Sequence, residues 1–278
     1  QTPHCRVAHG RAGAAAPIGK MVRGTHPASN YSEDPWLLHA GYRCLIYNAP
    51  TLSTLSTRLC NRAATGKHKG HDSVASTYDD LPPRAALSEI ARDFHARGWM
   101  AGTAGNLSAR EDADHCWITA SGRPKGRLDE NDFLLVRISD GEVIDRVAGA
   151  NKPSAETAIH CALYGLFPEA RACLHGHSVH AMLAAARAKA AARALRLPPI
   201  EMIKGFDIWK HNPKVDLPLF ENHLEVARIA RDITQRFGKT PPALTALMVR
   251  SHGATVWGRG LQEAYNRFEI LEFVLSYL

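Results

Sequence analysis

Across residues 78–278, short apolar runs alternate with segments whose apolar residues recur at helical spacing, a pattern that demands a mixed α/β core. Leu87, Ile90, Ala91 and Phe94 follow the i, i+3, i+4, i+7 spacing of an amphipathic helix, with Pro82-Pro83 at its start and Gly98 just past its end. Strand-like runs follow at 106–110, 116–119 and 133–137, parted by Gly- and Asp-rich turns. The pattern then predicts a helix over 155–167, a strand over 172–175, and a long Ala-rich helix from about residue 179. A further helix fits 224–237, strands fit 246–249 and 255–257, and a last helix over 261–278 aligns Ala264, Phe268, Leu271 and Leu275. There is no regular βαβ rhythm, no Gly-x-Gly-x-x-Gly turn and no internal repeat. The expectation is a single mixed α/β domain.

Residues 1–77 read differently. They lack a sustained period, and they hold nine Lys/Arg against three Asp/Glu, whereas 78–278 hold 25 against 24. Nearly all of the formal charge of +7 therefore belongs to this segment, and no basic stripe falls on patterned sequence. That argues against a nucleic-acid partner. A disordered tail, a transit peptide and sequence upstream of a true start all fit such a composition. A poorly ordered basic extension without assigned function is expected; its six histidines are too scattered to argue a metal site. No apolar run reaches the roughly 18–20 residues needed to span a bilayer, so no membrane partner is expected. Six cysteines without a C-x-x-C pair fit a reducing, cytoplasmic setting, and Cys161 and Cys173 read as small buried hydrophobes.

Four short motifs carry chemistry. His175-Gly176-His177 ends an apolar strand, where residues two apart point to one side, and His252 follows another such strand in Arg250-Ser251-His252-Gly253. Three neutral imidazoles with an open fourth position suit a catalytic metal, although His-x-His also arises by chance in a chain with 15 His. Lys152-Pro153-Ser154-Ala155-Glu156 opens the helix before the His-x-His strand. Ser154 fits an N-cap and Glu156 a first helical turn, yet the return of the chain could also bring Glu156 beside the histidines. Two polar turns, Gly102-Thr103-Ala104-Gly105-Asn106-Leu107-Ser108 and Thr119-Ala120-Ser121-Gly122, could cradle a phosphate, with Lys125 adding charge; each alone is an ordinary turn. Finally, Glu201-Met202-Ile203-Lys204-Gly205 sets a carboxylate in an apolar context. It is either an acid/base with a raised pKa or an exposed Glu paired with Lys204.

In this order the motifs resemble the class II aldolase/adducin family over residues 78–278. Gly105-Asn106-Leu107-Ser108, the Ser-Gly turn, Pro-Ser-x-Glu, His-x-His and the late His-Gly carry the likeness. Gly176 departs from it, since a hydroxyl residue is commoner between the paired histidines, and residues 1–77 have no counterpart. The resemblance implies a three-layer class II aldolase-like domain and one zinc ion per subunit on His175, His177 and His252. It implies phosphate binding by Gly105, Asn106, Ser121, Gly122 and Ser154, and a homo-tetramer with sites near subunit interfaces. The 152–157, 201–205 and 250–258 stretches are most similar to a dehydratase branch of the family that serves methionine salvage. That branch takes water from a 1-phosphorylated ketose bearing a methylthio group. By the same resemblance Glu201 would be the acid/base residue and Glu156 the metal-adjacent carboxylate. A fuculose- or ribulose-phosphate type aldolase or epimerase, and a non-catalytic adducin-like binding module, are the alternatives.

Overall fold

The computed structural model describes residues 77–146 and 152–278, so the expectations for residues 1–76 lie outside the described residues. After a short 3-10 turn, α1 (Pro83–Ala96) leads into β1 (Asn106–Arg110), β2 (His115–Thr119), β3 (Phe133–Arg137) and β4 (Val143–Arg146). Then come α2 (Thr157–Leu166), β5 (Ala172–Gly176), α3 (Val179–Arg187), β6 (Ala194–Arg196) and a 3-10 segment, Glu201–Phe206. The chain ends with β7 (Asp216–Phe220), α4 (Val226–Lys239), β8 (Ala246–Val249), β9 (Gly253–Gly258) and α5 (Leu261–Tyr277).

Among the described residues, nine strands form one sheet in the order β4-β3-β2-β1-β5-β9-β8-β7-β6, and only the β7–β8 pair is parallel. Side-chain alternation divides the core into two apolar layers. Leu107, Ala109, Leu174, Met248 and Val256 face α1, α3 and α5, where Leu87, Phe94, Ala184 and Phe268 pack. Their neighbours Cys173, Leu247, Val249 and Trp257 face α2 and α4 instead, against Ile159, Leu163, Ile233 and Phe237. The result is a three-layer α/β/α domain. Cys116, Cys161 and Cys173 are free and buried, as small apolar fillers. No helix of the described residues is long and apolar enough to cross a membrane.

The Ala-rich helix is shorter than its composition predicts, stopping at Arg187. Helix propensity would carry it further, but Ala188 turns extended (φ −71°, ψ 136°) and the Arg250 guanidinium collects the freed carbonyls. It donates to Lys189 O at 2.8 Å and Ala192 O at 2.7 Å, and reaches Ala185 O at 3.4 Å. A tertiary contact thus ends the helix. At the other end the Ser178 hydroxyl accepts from Ala181 N at 3.0 Å, an N-cap placed directly after His177.

Beneath α3 lies a buried carboxylate, Glu272 of α5. The half-exposed His180 imidazole is 3.7 Å away. Burial pushes the Glu272 pKa up to about 7, with the Ser178 hydroxyl opposing. The folded pKa exceeds the ordinary carboxylate value, so the neutral acid's advantage is full below that value and is lost as pH rises through about 7. We expect Glu272→Gln to match the parent near pH 4 and to exceed it at pH 8 by on the order of 2–3 kcal/mol. Urea melts across that range would check it; a variant no more stable at pH 8 would mean that the carboxylate is compensated.

Candidate metal centre

Strand register brings the separated histidines together. His175, the fourth residue of β5, lies opposite Asn106 of β1 on one side and Thr255 of β9 on the other. His177 follows two residues later, and its backbone N–H donates to Trp99 O at 2.7 Å. His252 is delivered by the tight turn between β8 and β9, in which Ser251 takes left-handed backbone (φ 50°). Gly253 then packs so closely on the Gly176 carbonyl that a Cβ there would collide with it. Gly176 itself is required by the fold: a Cβ would come within 2.6 Å of the Phe268 ring. This explains why the position tolerates no hydroxyl side chain here.

The three imidazoles stand nearly perpendicular to one another with ring centres 4.6–5.1 Å apart. Glu156 completes the group, and one ligand atom from each of Glu156, His175, His177 and His252 lies within 4.8 Å of all the others. His175 Nε2 and His177 Nε2 are 2.8 Å apart, while His252 Nε2 is 3.4 Å from Glu156 Oε1. Outer partners orient two of the rings: His175 Nδ1 meets Thr255 Oγ1 at 2.9 Å and His252 Nδ1 meets Asn222 Oδ1 at 3.3 Å. With Nδ1 as donor in each, the Nε2 lone pair faces inward, the usual arrangement for a metal-ligating histidine.

Electrostatics agree. Burial pulls the His175 pKa far below its ordinary value and the His177 pKa to about 4, each reinforced by repulsion from neighbouring imidazoles. Both rings are neutral near pH 7 and free to donate a lone pair. Burial alone would raise Glu156, but hydrogen bonds from His252 and the Ser154 hydroxyl hold it well below the carboxylate range. Three imidazole nitrogens and one carboxylate oxygen form a donor set suited to a borderline divalent cation.

The polar turns meet beside this group. The isolated bridge between Ala120 and Pro153, with Ser121 N donating to Lys152 O at 2.9 Å, sets the Ser121-Gly122 turn against Ser154. Ser154 does not cap α2: its hydroxyl donates to Glu156 Oε2 at 2.9 Å, and Glu156 occupies the cap position without a side-chain cap bond. The Glu156 carboxylate has won that hydroxyl from the helix end. Gly105 (φ 82°) passes within 2.9 Å of the His175 carbonyl, measured from where a Cβ would stand, so only glycine fits. Asn106 Nδ2 donates to Glu156 Oε2 at 2.8 Å. Lys125 is buried, with its ammonium donating to Thr103 O at 2.8 Å and Arg123 O at 3.1 Å, and burial lowers its pKa to about 8 against the pull of Glu156 and Asp132.

Glu201 is elsewhere. Its carboxylate is 80% exposed on the 3-10 segment and paired with Lys204 Nζ at 2.6 Å, outside the histidine group of its own chain. Thr255 and Asn222 escaped the sequence reading because only the strand register and the tertiary fold place them behind the imidazoles.

The family model for the class II aldolase and adducin N-terminal domain matches residues 85–278. A methylthioribulose-1-phosphate dehydratase of Microcystis aeruginosa is 48% identical over 196 residues, covering 70% of this chain and 94% of that protein. A protein of the same name from Leptospira biflexa is 38% identical over 195 residues, covering 68% and 93%. Among solved structures, YgbL from Escherichia coli superposes with a TM-score of 0.58 at 27% identity, covering 69% of this chain and 86% of that one. The L-fuculose-1-phosphate aldolase of Thermus thermophilus shares the fold, with a TM-score of 0.53 at 23% identity over 69% and 89%.

Proposed function

This chain belongs to the class II aldolase and adducin family, and on that footing we propose that it dehydrates 5-methylthioribulose 1-phosphate to 2,3-diketo-5-methylthiopentyl 1-phosphate in methionine salvage. The observation that carries the reading is the likeness to the Microcystis dehydratase at 48% identity over 94% of its length. The alternatives within the family have support only from the shared fold.

The proposed cofactor is one zinc ion per subunit, with His175, His177 and His252 as its ligands; bound there, zinc supplies Lewis acidity toward a carbonyl oxygen. Everything else is work for the chain's own groups. Gly105, Asn106, Ser121, Gly122 and Ser154 are the proposed phosphate contacts, with the buried Lys125 ammonium adding positive charge beside them. Anchoring the phosphate fixes C3 and C4 relative to the histidines. A carboxylate removes the C3 proton, the C4 hydroxyl leaves as water on gaining a proton, and the resulting enol ketonises. Glu156, within reach of the cluster and kept ionised, suits the first transfer. Glu201 suits protonation of the departing hydroxyl once the Glu201–Phe206 segment shifts or a second copy brings it to a site.

A second copy has somewhere to bind. Val179, Met182 and Leu183 of α3 and Phe273 and Tyr277 of α5 are all exposed on two helices that pack together. This supports the proposed homo-tetramer, and Leu183→Glu should lower the mass measured by light scattering. An unchanged mass would remove this face from any interface. The cytoplasm is the proposed setting.

The functional test is metal analysis of the purified protein followed by turnover of methylthioribulose 1-phosphate and fuculose 1-phosphate on one sample. Stoichiometric zinc with dehydration of the former supports the reading. Cleavage of the latter alone would replace it with an aldolase.

A further inference from the structure

We infer that His160 closes a one-directional hydrogen-bond chain running from Tyr164 to Glu156, and so acts as a positioning residue for the carboxylate at the histidine cluster. The inference rests on the proposed role of Glu156. It starts from a buried polar seam between β1 and α2. Asn106 and Ser108 lie two apart on one side of β1; Glu156, His160 and Tyr164 lie four apart on one stripe of α2 and its first turn. Asn106, Ser108 and His160 are fully buried and Tyr164 nearly so. Within this seam two polar atoms lack a hydrogen-bond partner, Asn106 Oδ1 and His160 Nε2.

Proton bookkeeping assigns every other link. Tyr164 Oη meets Ser108 Oγ at 2.8 Å. Burial holds the phenol protonated, and Ser108 is its hydrogen-bond partner, so Tyr164 donates. Ser108 then spends its own proton on His160 Nδ1 at 2.7 Å, in preference to Cys173 O at 3.4 Å. Burial lowers the His160 pKa to about 4, so the ring is neutral; with Nδ1 accepting, the proton sits on Nε2. That N–H needs an acceptor, and Asn106 Oδ1 needs a donor. The other end of the same amide donates to Glu156, one helical turn before His160. The inference joins these two atoms, which make no direct bond to any partner, across one bridging water.

Every donor then points toward Glu156, in the sequence Tyr164, Ser108, His160, Asn106. Such a chain polarises in one sense and fixes which end of the Asn106 amide faces the carboxylate. A flipped amide would present its oxygen to Glu156 Oε2. With Oε2 held, Oε1 is left directed at His252.

The primary test is the tautomer, read by long-range nitrogen–proton NMR of the imidazole in the full-length protein. The Nε2–H form at neutral pH is expected; an Nδ1–H form or an imidazolium overturns the inference. In steady-state kinetics, His160→Leu should lower kcat by ~10–100-fold with little change in KM. His160→Gln, which restores a donor toward Asn106, should recover most of that loss. Equal kcat losses in both variants, tracking their loss in Tm, would reduce His160 to a packing role and overturn the inference. If the leucine variant fails to fold, the parent tautomer and the glutamine variant still decide. Absence of turnover in the parent protein would instead sink the dehydratase reading, which the tautomer measurement does not depend on.

Discussion

His177→Ala is expected to purify without stoichiometric metal and to lose more than about 100-fold in turnover. Changing a residue that merely supports a ligand costs about 10–100-fold in metal affinity or activity, so removing a ligand should exceed that range. The imidazole is neutral at working pH, because burial and the neighbouring rings depress its pKa to about 4, so no proton must leave before it binds. The loss should be local: the backbone N–H bond from His177 to Trp99 O survives truncation of the side chain. Metal analysis beside a thermal melt separates the outcomes. A folded variant that retains one zinc per chain would remove His177 from the ligand set and leave Glu156 to complete it.

Glu201→Gln and Glu156→Gln should both lose turnover, on the order of 10²–10⁴-fold in kcat, the usual worth of a positioned acid or base. They should differ in metal content. Glu201 lies outside the cluster, so its variant should keep a full complement of zinc. Glu156 lies within it and accepts from Asn106 and Ser154, so the neutral amide should also weaken metal retention. Normal kcat in Glu201→Gln would make the exposed pair with Lys204 its whole role and pass the acid/base work to Glu156.

Much of this architecture was legible from residue order. The α1 stripe of Leu87, Ile90, Ala91 and Phe94 is buried as its spacing predicts, and β1, β3 and β8 occur at their predicted bounds. These elements bury one regular face, so periodicity reports them. The elements that went unread have no such face: β4 and β6 are short edge strands, and β7 carries a proline at Pro218. The end of α3 is not legible from its Ala-rich composition, because the guanidinium that caps the following segment lies 61 residues beyond Lys189. At the candidate site, the ordered motifs named the histidines, but their outer partners follow from register alone. Thr255 is only a threonine until β9 is set opposite β5. Ser154 shows the limit in reverse: as a sequence it reads as a helix cap, and the nearby carboxylate claims its hydroxyl.

The way α3 is fastened has a mechanical consequence. Its first turn is capped by Ser178, the residue after His177, and its last turn and the segment that follows are gripped by Arg250, two residues before His252, through Ala185 O, Lys189 O and Ala192 O. The helix is therefore a strut pinned at each end to a turn that carries one of the imidazoles. Its exposed Val179–Leu183 face lies between these two anchor points. Covering that face would stiffen the spacing between the two rings without touching either of them. Lysine, with a single ammonium for four carbonyls, could not replace Arg250 as the distal pin.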